Sequence, residues 1–237
     1  MRDASSGPAT AGESLALGQR SLGDPGQLFP MLPVLTSGCP STSGEAMQYP
    51  LEVDYDYGRV DPALFDRAPL LPPLAPGLTL GEGGTALFEA AEFGRAIGLK
   101  GSLLLKDESR NPTWSHKDRL NLCVVSAAVA SGARGIAVAS SGNHGAAAAA
   151  YAARAGLPCV VVISEGPQPS FRRLLAALGA HVVVAPFDRR WAALRRIVDE
   201  AGFMPASNLT RFHTGNPYGP EGYKTIAYEL FLQLGRR

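Results

Sequence analysis

Several things are scarce in this chain, and each shortage excludes something. Cysteine occurs three times in 237 residues, at Cys39, Cys123 and Cys159, too few and too scattered for a disulfide framework or a four-ligand zinc site. Two of the three lie in apolar surroundings that suit buried free thiols, which fits a reducing cytoplasm. No apolar run is long enough to cross a bilayer: the richest, residues 146–163, is broken by Arg154, Gly156 and Pro158. An excess of one charge sign is missing as well. With a net charge of +1 and a pI near 7.8, the chain offers no basic field to nucleic acid or anionic lipid. No basic segment followed by an apolar one opens the chain, so no secretory signal is expected. Among the charged residues lysine is the scarcest, with four against eighteen arginines.

What is present divides the chain. At 46% hydrophobic residues it can bury a substantial core, and its length allows one large domain or two small ones. Residues 1–32 are rich in Gly, Ser, Pro and Ala without periodicity, which predicts a disordered extension. Residues 33–68 form a second segment, in which Leu51, Val53 and Tyr55 alternate with acidic residues as in a half-exposed strand. The proline-rich residues 68–76 predict a stiff connector. Beyond them Leu87, Ala90, Ala91 and Gly94 recur at helical spacing, with Thr85 placed as an N-cap.

From residue 102 the pattern is regular. Strands are predicted at 102–106, 135–140, 158–164 and 181–186, and helices at 118–131, 143–156, 169–179 and 188–202. Residues 205–209 are predicted to return toward the sheet before a last helix at 221–234. Strands that are apolar throughout, alternating with helices across short Gly or Pro breaks, predict an α/β fold with a mostly parallel sheet and helices on both faces.

Two junctions in this pattern carry candidate chemistry. Lys117 ends the stretch KDESRNPTWSHKDR (106–119) at the mouth of a predicted helix, flanked by Ser115, His116, Asp118 and Arg119. Arginine cannot replace an amine that must lose its proton, so a lysine here invites a chemical reason. The alternative is a surface lysine in a charged helix start. The second junction is SSGNHG (140–145), directly after a predicted strand. Ligands of open parallel sheets bind beyond the carboxyl ends of strands, where loops lead into helix N-termini. Ser140, Ser141 and Gly142 allow close backbone approach, Asn143 offers an amide, and the free N–H groups of the helix suit a carboxylate or phosphate. An ordinary capping turn would use the same residue types, and His144 either faces a ligand or caps the helix. No Walker or dinucleotide glycine fingerprint follows a strand.

Four blocks taken together, LGEGGT (80–85), LKDESRNPTWSHKDR (105–119), SSGNHGAAAAAYAARAGLP (140–158) and NPYGPEGYKTIAYEL (216–230), resemble the fold-type II, tryptophan synthase β-like enzymes that use pyridoxal 5'-phosphate, and among these threonine synthase. The resemblance covers residues 50–237 in order. It implies the three-layer α/β fold of that group over residues 69–237, with Rossmann-like βα units at about 118–209. It also implies pyridoxal 5'-phosphate as cofactor, a Schiff base on Lys117 and a hydrogen bond from Asn143 to the cofactor's phenolic oxygen. Ser140, Ser141, Gly142 and His144 would then form the loop that receives the substrate carboxylate. The implied activity is that of a carbon–oxygen lyase of threonine biosynthesis, converting O-phosphohomoserine and water to threonine and phosphate. A serine or threonine dehydratase or ammonia-lyase of the same fold is the alternative, and a catalytically silent remnant is a third reading. The implied partner is a small-molecule amino-acid substrate, with a homodimer in a full-length form, no nucleic acid or membrane, and a cytoplasmic location.

The departures from that pattern sit close to the lysine. Relatives usually read NPTGSFKDRG, whereas Trp114, His116 and Leu120 stand here in place of Gly, Phe and Gly. Tyr223 stands where glutamine is usual, and Gly219 where an arginine is. Residues 33–68 keep only Cys39 of the cysteines that a zinc ribbon would need, so this segment is expected to be vestigial and without metal. Similar enzymes continue into a glycine-rich loop that holds the cofactor phosphate, and GEGGT (81–85) is expected to be a structural turn rather than that loop. The expectation is a fragment or truncated relative lacking the C-terminal half, with an exposed sheet edge and apolar face.

Overall fold

The computed structural model describes residues 13–44, 46–60, 68–166, 169–209 and 215–235. Its centre is a parallel sheet of four strands, β6 (Ile136–Ala139), β7 (Cys159–Ser164), β8 (His181–Ala185) and β9 (Met204–Pro205), in the order β8-β7-β6-β9. The register sets Val138 beside Val161, and Val162 beside Val183. Alternate residues point to opposite faces of a strand. Ile136, Val138, Val161 and Ile163 accordingly join one core with residues of α2 (Lys117–Ala130), α3 (Asn143–Arg154) and α4 (Pro169–Ala177). Ala137 and Val162 join the other, against Leu194 of α5 (Arg190–Ala201). Both faces are covered, which is why these strands read as apolar throughout. The α/β class and its predicted strands and helices from residue 102 onward are found with ends displaced by no more than two residues, and the return to the sheet expected at 205–209 is a two-residue strand at Met204–Pro205.

Connectivity places the site. The helices α3 and α4, which link β6 to β7 and β7 to β8, share one face, whereas α5, which links β8 to β9, covers the other. The chain therefore winds in both directions from β6, and the switch point falls at the carboxyl ends of β6 and β9, where open sheets of this kind bind ligands. The turn at residues 140–142 leaves β6 at that point. Small residues let α3 lie between the sheet and α2: Ala146, Ala147, Ala148, Ala149 and Ala152 are all buried. A last helix, α6 (Gly219–Gln233), packs against α2 at very short range. A Cβ added to Gly222 would lie 1.9 Å from the Arg119 carbonyl oxygen, so only glycine fits there.

The structure corrects the reading of the N-terminal third. Residues 1–12 lie outside the described residues, but the expected disorder fails for residues 13–32. There β1 (Ala16–Ser21) and β2 (Leu28–Phe29) form an antiparallel sheet with β3 (Leu51–Tyr55), in the order β2-β1-β3. The stabilising contacts are distant in sequence: Leu15, Val53, Tyr55 and Leu70 share a small core. The Gln19 side chain, fully buried, donates to the Pro30 and Pro33 carbonyls and accepts from the Leu35 N–H. That sheet also crosses the expected boundary at residue 32. β3 is more buried than its acidic alternation suggests, with Val53, Asp54 and Tyr55 all inside.

A second correction concerns residues 85–99. The helical spacing predicted there yields only α1 (Ala91–Ala96), because Leu87–Glu89 is drawn into β4, paired antiparallel with β5 (Leu104–Lys106). Thr85 caps no helix; its hydroxyl donates to Glu108. All three cysteines are free and buried. Among the described residues no helix is long and apolar enough to cross a membrane.

Candidate active site

The loop that carries Lys117 is held from behind by a buried ionic cluster. Arg119, 2% exposed, donates through Nε to Glu108 at 2.7 Å and through Nη1 to Glu229 at 2.8 Å and Thr225 at 2.8 Å. Lys106 Nζ adds a contact of 2.7 Å to Glu229. Two cations thus face two carboxylates, and the charge-assisted bonds offset the cost of taking all four from water. Burial by itself would raise the Glu229 carboxyl, but bonds from Arg119, Lys106 and the Gly84 N–H hold it down to about 2. The glycine turn at 81–85 serves the same scaffold, since the Gly83 N–H donates to Asn111 Oδ1 and the Gly84 N–H to Glu229. At the helix mouth the Thr113 N–H donates to Asp118 Oδ2 at 2.7 Å. The loop is therefore fastened on both sides of Lys117.

Lys117 is the first residue of α2 and is half-buried. Its Nζ donates to the Tyr223 hydroxyl of α6 at 2.6 Å. Burial lowers the lysine's affinity for its proton. The His116 ring packs on the Tyr223 ring, with centroids 5.3 Å apart and planes inclined at 47°. Burial, then the charge of Lys117, lowers His116, with Glu108 opposing.

The second junction comes to the same place. Gly142, extended at φ −156°, precedes α3, and no side chain caps that helix. Its first N–H groups are therefore free for an anion. Ser140 Oγ accepts from the Gly142 N–H at 3.3 Å, and Ser141 Oγ accepts from the Ser164 N–H at 3.2 Å. Both hydroxyls thus shape the turn. Asn143 opens α3 with an exposed side chain that makes no hydrogen bond to another described residue. His144 is more constrained: its Nε2 is shielded from solvent and has no hydrogen-bond partner. Burial pushes His144 down to about 3, with further repulsion from Lys117 and His116. The helices α2 and α3, which these residues open, pack against one another. Lys117 and His144 thus open two packed helices, and Ser141 and Asn143 are exposed at the turn before α3 and at its start.

A family model described as pyridoxal-phosphate dependent enzyme matches residues 78–237. The chain belongs to this family. Threonine synthase of Halalkalibacterium halodurans is 40% identical over 164 residues, 68% of this chain and 44% of the relative. Threonine synthase of Synechocystis is 34% identical over 210 residues, 87% of this chain and 50% of the relative. The chain spans about half the length of the curated relatives it matches. Among solved structures, an O-ureido-L-serine synthase superposes with a TM-score of 0.57 at 28% identity, over 70% of this chain and 53% of that one. Maize serine racemase shares the fold at a TM-score of 0.54 and 24% identity, over 64% of this chain and 45% of that one.

Pyridoxal phosphate carries an aldehyde that an amine can bond and a phosphate that free N–H groups can hold. The chain offers a shielded His144 Nε2 with no partner among the described residues, the first N–H groups of α3, and a Lys117 amine eased toward neutrality. These residues fit the cofactor. The sequence did not point to Tyr223 as part of the site beyond noting an unusual residue, because the contact joins positions 106 residues apart. The ionic cluster was missed too, although lysine scarcity was a signal for it: Lys106 is one of the four.

Proposed function

We propose that the protein carrying this chain is a pyridoxal-phosphate-dependent lyase acting on O-phosphohomoserine, with Lys117 as the residue that bonds the cofactor. The observation that carries this reading is the half-buried Lys117 amine, held by a neutral hydroxyl beside an uncapped helix N-terminus. When bound, pyridoxal phosphate supplies an aldehyde and an electron-withdrawing ring that disperses charge left on carbon by proton removal.

The chain's own residues supply the rest. Lys117 must be neutral to attack an aldehyde, and burial favours that form. Its partner at 2.6 Å is a hydroxyl rather than a carboxylate, so no ion pair retains the proton. When free, the same amine would be the group able to carry the substrate's α-proton. The turn of Ser140, Ser141, Gly142 and His144 would receive the substrate carboxylate on free N–H groups, and Asn143 would direct its amide to the cofactor's phenolic oxygen. His144, held neutral well below physiological pH, would contribute a hydrogen bond without a charge.

Support for the substrate comes from likeness to threonine synthases at 34% and 40% identity. The protein, saturated with pyridoxal phosphate, would be given O-phosphohomoserine, serine and threonine separately. Phosphate release without a 2-oxo acid is the expected result. A 2-oxo acid from serine or threonine, with no phosphate released, would replace this reading with a dehydratase.

A further inference from the structure

We infer that Tyr223 is the positioning residue of the Lys117 amine, its hydroxyl accepting the Nζ hydrogen bond from the α6 side while the His116 ring props the tyrosine in place. The inference rests on the role proposed for Lys117. Nζ also lies 5.0 Å from the Tyr223 ring centroid, so the amine meets the ring face as well as the oxygen. A flexible lysine stem is thereby confined from one side.

The placement of the hydroxyl is fixed by backbone packing. Gly222, the preceding residue, brings α6 so close that any Cβ would overlap the Arg119 carbonyl. On one side of Tyr223 the Arg119 guanidinium holds Thr225 and Glu229. On the other, Glu221 accepts from the Tyr55 hydroxyl at 2.8 Å. Tyr223 is carried to Lys117 by a helix that cannot shift without breaking these contacts.

The choice of group has a chemical consequence. A carboxylate here would pair with the ammonium and retain its proton, whereas a neutral hydroxyl orients the nitrogen at much smaller cost to deprotonation. Burial raises the Tyr223 hydroxyl to about 12, so it stays neutral through the physiological range. The other titratable groups around the amine are His116 from its own loop and His144 from α3, with Glu108 and Arg119 behind His116 offsetting one another.

Four lysines make the amine measurable by trace acetylation across a pH series, read peptide by peptide in a mass spectrometer. Lys100 is exposed and Lys106 is ion-paired inside, so each serves as an internal reference. Tyr223→Phe keeps the ring and removes only the acceptor. An ammonium that loses its acceptor gives up its proton more readily, so the Lys117 midpoint should fall by about one pH unit, with Lys106 still protected. An unchanged or raised midpoint overturns the inference. In the wild-type protein, acetylation of Lys117 as fast as Lys100 where both amines are uncharged overturns it too, whether or not the variant folds. Borohydride trapping of pyridoxal phosphate on the wild type separates the two claims. Trapping at Lys117 with no midpoint change in Tyr223→Phe sinks the role of Tyr223 alone. A lowered midpoint without trapping upholds Tyr223 and overturns the cofactor reading.

Discussion

Single residues in this chain are held in states that their neighbours must justify, and Trp114 is the plainest case. It adopts φ 61°, a left-handed conformation that a side chain with a Cβ disfavours, while the residue is 67% exposed. Little burial repays the strain. Trp114→Gly should therefore raise stability by about 1 kcal/mol, seen as a higher Tm. Glu229 is the opposite case, a carboxylate strongly favoured by its surroundings. Glu229→Gln leaves Arg119 with Glu108 and Lys106 with only the neutral Thr85 carbonyl and Gln233, and should cost about 3–5 kcal/mol in urea denaturation at pH 7. The pH dependence follows from the direction of the shift. The folded value, about 2, lies below the ordinary 4.5, so this contribution is complete above 4.5 and is lost as pH falls through about 2. The gap between wild type and variant should narrow over that window. Lys117, by contrast, stands out in the sequence itself, because lysine is scarce and because it falls at a loop-to-helix junction.

At the scale of elements, the contact of α2 with α6 decides whether the site exists. Gly222→Ala would force a methyl group to within 1.9 Å of the Arg119 carbonyl. The helices would have to separate, at about 3 kcal/mol, the upper end for overpacking. Equilibrium denaturation should show that loss, and cofactor capture should fall with it because Tyr223 moves away from Lys117. The βα units were legible because strands covered on both faces and amphipathic helices each leave a distinct period. The pairing of β4 with β5 was not, since three-residue strands are too short to show alternation, and Leu87, Ala90, Ala91 and Gly94 match a helix by accident of a strand running into one turn-rich helix. β1 was hidden for another reason: its inward residues include Gln19 and Ser21, polar groups satisfied by the loop at 30–35 and by the Asp24 N–H respectively. Tyr223 could be noticed as unusual, but its meaning depends on α6 packing that no local pattern encodes.

For the whole molecule, α3 leaves the carboxyl end of β6 and packs against α2, and the buried ionic cluster ties α2 to α6. A ligand that binds this arrangement and not the unfolded chain must stabilise it. Pyridoxal phosphate at about one hundred times its Kd should add roughly 2.7 kcal/mol, visible as a rise in Tm that Lys117→Ala diminishes. The measurement that bears most directly on the central claim is the site of covalent capture. After incubation with pyridoxal phosphate and reduction with borohydride, peptide mass spectrometry should find the added mass on Lys117, with Lys100, Lys106 and Lys224 unmodified and the visible absorbance band absent from Lys117→Ala. Capture distributed over exposed lysines, or a band that survives Lys117→Ala, would contradict it.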